Sequence, residues 1–229
     1  MSKTQFAVIG LGTFGSNLAK ELVKRGFPVL AIDNKEEIVN KITPFVTQAI
    51  VVDATDGKAL ENAGIKDCDT VIVAIGEDIE TSILATLVVK DLGIKNVIVK
   101  CISQWHSKIA VKIGADRVIY PEFEMAKKLA ESMVSPNILE QIEVSKDFNL
   151  VEIVAPKKCR GKTIKDSEIR TKYGINVIAI KRHIPFINDD GQPDIEEKTN
   201  VAPGPDDEIM ENDILVIVGK QDQIEKFNK

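Results

Sequence analysis

Cysteine, histidine and tryptophan are scarce in this sequence, and their scarcity excludes several kinds of protein. The 229 residues include three cysteines, two histidines and one tryptophan. Because Cys68, Cys101 and Cys159 are odd in number and far apart in the chain, they form neither a disulfide framework nor a metal-binding spacing. This cysteine usage suits a protein of a reducing cytosol.

Long apolar runs and an excess of positive charge are also missing. The longest apolar stretches, such as residues 71–75, are far too short to span a bilayer, and the first residues lack the basic-then-apolar pattern of a signal peptide. The formal net charge is −5, which gives no global attraction to nucleic acid or to anionic lipid. We therefore expect a cytoplasmic protein with no nucleic-acid partner, whose membrane association comes through another protein.

The first half of the chain alternates Val- and Ile-rich runs with helical stretches. Strands that are apolar almost throughout, interleaved with helices, are typical of a parallel sheet covered on both faces. The predicted strands are 5–9, 28–32, 49–52, 70–75, 96–100 and 117–120. The predicted helices are 13–23, 36–42, 57–63, 79–92 and 107–113. The fold class is therefore α/β, a Rossmann-like doubly wound parallel sheet.

A different pattern follows a helix that opens with proline, PEFEMAKKLAESMVSPN (121–137). Its apolar arc is wide enough to contact two surfaces, although a broad core-facing stripe explains it equally well. Beyond it we predict strands at 150–155, 175–182 and 214–218, short helices within 161–174 and at 221–227, and a hairpin tip at NDDGQP (188–193). The chain then divides into domains at 1–136 and 137–229. The second is a small, strand-poor α/β module that we expect to pair with another copy.

Gly10-x-Gly12-x-x-Gly15 follows the first predicted strand directly and opens the first predicted helix. In such a turn the first glycine allows the tight bend, the second lets a phosphate approach the backbone, and the third lets the helix lie close to the strand. Free N–H groups at the start of the helix favour negative charge there. Asp33 ends the next strand about 20 residues later, where a ribose hydroxyl is bound in dinucleotide sites. The pattern predicts an adenosine nucleotide; the alternative is that the glycines serve packing alone.

Asp33 also narrows the choice of nucleotide, because its carboxylate would repel a 2′-phosphate. NADP is therefore disfavoured, while NAD, NADH, ATP, ADP and AMP remain open. Asp53 and Thr55 follow the third strand, and residues 74–78 follow the fourth, so both groups lie at the carboxyl edge of the sheet where ligands bind. For Thr55 the alternative role is a helix cap.

Residues for acid–base chemistry are missing from this pattern. The histidines are His106, which we place at a solvated helix start, and His183, which we place on the surface at a strand end. A hydride-transfer enzyme usually needs an acid–base group and a cation that holds the substrate. The sequence therefore favours a nucleotide sensor over an enzyme.

Taken in order, these segments resemble the cytosolic gating subunits of Ktr/Trk potassium uptake systems, which are RCK proteins. The matching stretches are FAVIGLGTFG, IDN, VVDATD, VIVAIGED, VIVK, IGADRVIYPEFEMAKKLA, GKTIKDSEIRTKYGINVIAIKR and ENDILVIVG. The resemblance implies a nucleotide-binding RCK N-terminal domain with a crossover helix that swaps across a dimer, and a smaller RCK C-terminal domain. It also implies a ring, commonly of eight subunits, docked on a membrane-embedded potassium-translocating subunit.

The resemblance also assigns the residues that would contact the nucleotide. They are Gly10, Gly12, Thr13, Phe14, Gly15, Asp33, Asp53, Ala54, Thr55, Ala74, Ile75 and Gly76. Glu122 would reach the neighbouring subunit's nucleotide or a cation bound to it, such as Mg²⁺, and it also complements the dipole of its own helix. Many relatives carry Arg at the position of Thr13, so the choice among ATP, ADP and NAD(H) stays open here.

Some relatives bind cyclic di-AMP in the C-terminal domain, at a dimer interface. The matching candidates here are Ile164, Ile169, Arg170, Ile175, Asn176 and Val177. Arginine offers a forked, permanently charged donor to phosphate, and apolar side chains would take the adenine faces. The alternative is that Ile169 belongs to the core and Arg170 is a surface charge.

The sequence thus predicts a non-enzymatic, nucleotide-sensing cytosolic subunit that gates a potassium transporter or channel. The alternative from another class is an NAD(H)-dependent oxidoreductase or redox sensor. A third is a self-standing dimeric nucleotide-binding module with an unrelated partner.

Overall fold

The computed structural model describes residues 4–187 and 192–228. The chain divides into two compact units, Met1–Met125 and Ala126–Lys229, and the division falls within a helix. Across the described ranges, none of the helices is both long enough and apolar enough to cross a bilayer.

The first unit is built on a six-stranded sheet. Its strands are β1 (Phe6–Ile9), β2 (Val29–Asp33), β3 (Gln48–Val51), β4 (Thr70–Val73), β5 (Asn96–Lys100) and β6 (Arg117–Ile119). Its helices are α1 (Thr13–Lys24), α2 (Glu36–Ile42), α3 (Gly57–Asn62), α4 (Ile79–Asp91) and α5 (Gln104–Lys112), and α6 (Pro121–Val134) begins in it. The strands pair in parallel in the order β3-β2-β1-β4-β5-β6. The predicted Rossmann-like fold is confirmed, and its strand order reverses between β1 and β4.

Both faces of this sheet are buried, which explains the near-continuous apolar strands. Consecutive residues point to opposite faces, so Val8 joins one core and Ile9 the other. Ile72 and Val71 divide between the same two cores in β4. A strand that is covered on both sides by helices has no solvent face, and therefore has no polar alternation.

His106 is buried rather than solvated, so the prediction for this residue was wrong. Helix α5 starts earlier than predicted, because the Ser103 hydroxyl accepts a hydrogen bond from the His106 amide (3.1 Å) and caps it. The His106 side chain therefore falls on the inner face of α5. It is 1% exposed, and its Nε2 lies 3.1 Å from the Ser82 hydroxyl on α4. Burial lowers the pKa of this imidazole.

The second unit contains an antiparallel sheet. Its elements are β7 (Ile138–Glu143), β8 (Phe148–Val154), β9 (Lys162–Thr163), α7 (Ile169–Tyr173), β10 (Asn176–Ile187), β11 (Pro193–Val201), β12 (Glu208–Ile209), β13 (Ile214–Lys220) and α8 (Gln221–Asn228). Five strands pair in the order β11-β10-β13-β8-β7, and β9 pairs with β12 separately. The prediction that this unit is strand-poor was therefore wrong. The strands that sequence reasoning missed include the two edges, β7 and β11, which are largely exposed.

Strands β10 and β11 pair antiparallel up to Ile187 and Pro193. The predicted hairpin tip NDDGQP joins these two strands in the chain. Its residues 188–191 lie outside the described part of the structure.

An ion pair with a buried carboxylate ties β10 to the turn before β13. The Asp213 side chain is 0% exposed, and Arg182 donates to it from Nε and Nη2, each at 2.7 Å. The Met210 amide donates to the same carboxylate (2.8 Å). Burying a carboxylate without a counterion costs free energy. Arg182 supplies that counterion, so the turn that contains Asp213 depends on Arg182 for its stability.

We predict that Arg182→Met destabilises the second unit by about 3–5 kcal/mol, since it leaves the Asp213 charge buried without its counterion. Lys226→Met is the matched control, because it removes a pair with Asp222 that is largely exposed and is worth under about 1 kcal/mol. Hydrogen exchange of the β13 amides across a urea series reports the stability of this unit in the full chain. Equal losses in the two variants would contradict the role given to the Arg182–Asp213 pair.

Candidate functional site

The glycine turn (Gly10–Gly15) joins β1 to α1 at the point where the strand order reverses. Gly10 has a φ of +89°, and a Cβ there would lie 2.9 Å from Ile75 Cγ1 and 3.1 Å from the Ile75 amide nitrogen. Only glycine adopts this backbone conformation without strain, and only glycine leaves room for the segment that follows β4. The first glycine therefore brings the ends of β1 and β4 together.

Gly15 and Gly12 face different surroundings. A Cβ on Gly15 would overlap the Gly10 carbonyl oxygen, whereas a Cβ on Gly12 would meet nothing within 4 Å. Gly15 thus lets α1 lie against the end of β1. At Gly12, the N-cap of α1, the backbone is open, and among the described residues no side chain caps the helix. The first-turn amides of α1 are left to bind an anion.

Asp33 is anchored beside this turn. Its carboxylate accepts hydrogen bonds from the amides of Leu11 (2.8 Å) and Lys35 (3.0 Å), one on each oxygen. Each carboxylate oxygen has a second acceptor site, so the group still has the capacity to accept from ribose hydroxyls. The structure therefore places Asp33 next to the glycine turn with its orientation fixed.

The end of β3 lies next to β2 at the same edge. Asp53 accepts from the Thr55 amide (2.9 Å) and hydroxyl (2.7 Å), and these bonds hold the pKa of Asp53 below its usual value. Ala54 is buried in the core. Asp56, not Thr55, caps α3 by accepting from the Lys58 amide (2.9 Å). Thr55 is therefore free of the capping role that was its alternative interpretation.

The segment after β4 faces the glycine turn across the point of reversal. The Ala74 amide donates to the Ile9 carbonyl (2.7 Å), and Ile75 contacts Gly10 as described. Ala74 is buried, while Ile75 and Gly76 are half-buried. The predicted residues of the first unit therefore lie along one carboxyl edge of the sheet.

Lys100, which ends β5, is a site residue that sequence reasoning missed. Its Nζ lies 2.5 Å from Glu122 Oε1 and 5.7 Å from the centre of the Phe14 ring. A Cβ on Gly76 would lie 3.1 Å from the same nitrogen. The available signal was a lysine closing an otherwise apolar strand, VIVK, at the edge where ligands bind.

Glu122 lies in the first turn of α6 and faces Lys100 of its own unit. The hydrogen bond from Lys100 holds the pKa of Glu122 below its usual value. The Glu122 side chain is 65% exposed and that of Lys100 is 12% exposed. The predicted contact of Glu122 with a neighbouring subunit stays a prediction.

The six candidates for cyclic di-AMP divide between core and surface. Ile169 and Ile175 are fully buried, and Ile164 and Val177 pack against the same core. Arg170 and Asn176 are exposed. This placement fits the interpretation in which Ile169 is a core residue and Arg170 a surface charge.

Fold and site together define a protein with a Rossmann-like domain followed by a smaller antiparallel module. Residues 6–121 match the TrkA-N domain family, and residues 150–229 match the TrkA-C domain family. The chain is 42% identical over 227 residues to Ktr system potassium uptake protein C of Bacillus subtilis, covering 99% of this chain and 97% of that protein. It is 36% identical over 220 residues to Ktr system potassium uptake protein A of Vibrio alginolyticus, covering 96% and 94%. The chain therefore belongs to the Ktr potassium uptake protein family, as the resemblance predicted.

Solved structures of the GsuK channel share the fold. One matches with a TM-score of 0.64 at 16% identity and covers 98% of this chain and 38% of that chain. The GsuK RCK domain matches with a TM-score of 0.52 at 23% identity and covers 98% and 46%. The chain spans less than half the length of either structure. At these identities the likeness is one of fold alone.

We predict that Gly15→Ala destabilises the protein and that Gly12→Ala does not. Gly15→Ala forces a methyl group into the Gly10 carbonyl, so we expect a loss of about 1–3 kcal/mol or more. Gly12→Ala places its methyl group in open space and should change stability by under about 0.5 kcal/mol. Thermal and urea unfolding of the two variants measure the difference, and equal stabilities would refute the close contact of α1 with β1.

Proposed function

We propose that this chain is a non-enzymatic, nucleotide-sensing subunit that regulates a membrane potassium transporter. The observation that carries the proposal is the glycine turn, which presents the uncapped start of α1 beside an anchored Asp33 where the strand order reverses. That arrangement suits the phosphate and ribose of a nucleotide. Relatives that match the chain almost end to end are named as Ktr system potassium uptake proteins.

Within the described residues, the placement of the histidines and of the acids that follow β2 and β3 supports regulation rather than catalysis. His106 is buried against Ser82, and His183 lies in β10 of the second unit with Glu197 3.5 Å away. The carboxylates of Asp33 and Asp53 are held by neighbouring N–H and O–H groups. Each of these four side chains already has a partner within the protein, which favours structural and binding roles over proton transfer.

The ligand we propose is an adenine nucleotide, either ATP and ADP or NAD and NADH. The phosphates would lie on the first-turn amides of α1, and Asp33 would accept from the ribose. A cation such as Mg²⁺ that accompanies ATP would be met by Glu122. A ligand shifts a protein between two states only if it binds those states with different affinities. The γ-phosphate and its cation make contacts that ADP lacks, so ATP and ADP would favour different states.

Helix α6 supports assembly with further copies of the chain. Its apolar side chains are more than half exposed: Phe123, Met125, Leu129 and Met133. Burying apolar surface is worth about 25 cal/mol per Å², so such a helix gains by covering this face. We propose a homodimer through α6 that builds a ring, commonly of eight subunits, docked from the cytoplasm on a potassium-translocating membrane subunit.

Ligand-dependent melting tests the nucleotide proposal. We expect ATP and ADP to raise the melting temperature of the full chain and NADPH to leave it unchanged. A ligand at about one hundred times its Kd adds about 2.7 kcal/mol to the unfolding free energy. NADH and cyclic di-AMP are tested in the same way. Cyclic di-AMP is included because Arg170, the candidate phosphate ligand of the second unit, is exposed.

Gly12→Asp is the control variant for this series. Its side chain enters open space, so the fold persists while the new carboxylate repels phosphate at the start of α1. It should therefore lose the response to ATP and ADP. A response of the unmodified chain to NADH alone would instead favour the NAD(H)-dependent oxidoreductase or redox sensor.

The size of the protein in solution tests the α6 interface. We expect the chain to be a dimer or larger, and Met133→Glu to weaken the association at least about tenfold, because it buries a charge in an apolar contact. Ser132→Glu adds the same charge at the neighbouring position, whose hydroxyl bonds to its own helix, and should have a much smaller effect. Analytical ultracentrifugation provides the measurement, and a strictly monomeric chain would refute the assembly.

A further inference from the structure

The carboxyl edge of the first unit contains several acids but little positive charge where phosphates are expected. The glycine turn has no basic side chain, and the first turn of α1 contains Thr13 and Phe14 at its start. Partial charges on helix amides attract phosphate, but a nucleoside diphosphate carries several full negative charges. A nearby ammonium or guanidinium group would complete such a site.

The Lys100 ammonium is held against two residues of the nucleotide edge. It lies 5.7 Å from the ring centre of Phe14, the second residue of α1. It also occupies the space beside Gly76, where a Cβ would lie 3.1 Å from Nζ and 3.4 Å from Cε. The glycine after β4 thus leaves room for this cation next to the start of α1.

The two members of the Lys100–Glu122 pair differ in their exposure. The Lys100 side chain is 12% exposed, and a charge on a largely buried side chain is costly without an anion beside it. The Glu122 side chain is 65% exposed and can return to water at little cost. A phosphate that approaches Lys100 can therefore replace Glu122, because Glu122 can move into solvent. The largely buried Lys100 side chain stays in place.

We infer that Lys100 is the cation that binds the phosphate end of the nucleotide, and that Glu122 is the carboxylate it releases when the nucleotide binds. This inference rests on the proposed nucleotide function and adds a specificity-determining residue to it. In the ligand-free chain Glu122 occupies the phosphate's place on Lys100. A nucleotide with more phosphate charge competes better for Lys100.

The exchange links phosphate binding to the start of α6. Glu122 is the second residue of that helix, which continues into the second unit of the chain. Once released, Glu122 is available to a cation or to another copy of the chain. Phosphate binding therefore changes the contacts at the start of α6, the helix that we propose as the assembly interface.

The test is a double-mutant cycle on ADP affinity, measured by isothermal titration calorimetry with the full-length chain in buffer containing EDTA. Divalent cations are left out because a released Glu122 would bind them. We expect Lys100→Met to weaken ADP binding about tenfold or more, the loss of a charge-assisted hydrogen bond. We expect Glu122→Gln to strengthen ADP binding several-fold, because it removes the competing anion.

In the Lys100→Met background, Glu122→Gln should leave ADP affinity unchanged, because the two residues then no longer compete through Lys100. Lys95→Met is the matched control: it removes the same charge just before β5 at an exposed position and should bind ADP like the unmodified chain. Melting curves without ligand check that each variant folds, and Glu122→Gln changes an exposed side chain that folding does not require.

Two negative results are distinguishable. If the unmodified chain binds ADP and Glu122→Gln changes affinity equally in both backgrounds or weakens it, the exchange is wrong while nucleotide binding stands. The exchange is also wrong if Lys100→Met and Lys95→Met bind ADP with the same affinity. If the unmodified chain binds no adenine nucleotide, the proposed function and this inference both fail.

Discussion

The close contact between Gly15 and the Gly10 carbonyl holds α1 against the end of β1. A side chain at Gly15 would push the helix away, and the amides at its start would then leave the edge of the sheet. Gly10, with its left-handed backbone, brings the segment after β4 to the same place. Because the strand order reverses between β1 and β4, these two segments border the crevice in which folds of this kind bind ligands. This packing fixes where the amides at the start of α1 and the segment after β4 lie.

Electrostatics at the edge then separate the roles of its residues. Asp33 is held by two backbone amides and has a fixed orientation, which suits recognition of a neutral hydroxyl pair. Lys100 and Glu122 form a pair in which one partner is largely buried and the other largely exposed. A fixed acid is suited to a constant part of the ligand, the ribose. An asymmetric ion pair is suited to its variable part, the number of phosphate charges.

The predictable part of the fold and site is the part encoded by local pattern. Val- and Ile-rich runs identified the parallel strands because both faces of that sheet are covered. The glycine spacing with Asp33 identified the turn, because only a few residues satisfy its backbone geometry. The second unit was harder, since the edge strands β7 and β11 are largely exposed and lack the regular alternation of a half-buried strand.

Other features depended on contacts between distant segments. His106 was predicted to be solvated, but the Ser103 cap sets the start of α5 so that the imidazole faces Ser82. Lys100 ends an apolar strand, and its pairing with Glu122 depends on how α6 begins beside β5. No spacing in the sequence records such contacts, because they join elements that are separate in the chain.

The central claim is that the glycine turn binds the phosphates of an adenine nucleotide. A crystal structure of the full chain with ADP tests it most directly. The account predicts phosphate oxygens within hydrogen-bond distance of the first-turn amides of α1, ribose hydroxyls on Asp33, and Glu122 withdrawn from Lys100. ADP bound elsewhere, with the glycine turn empty and the Lys100–Glu122 pair intact, would contradict it.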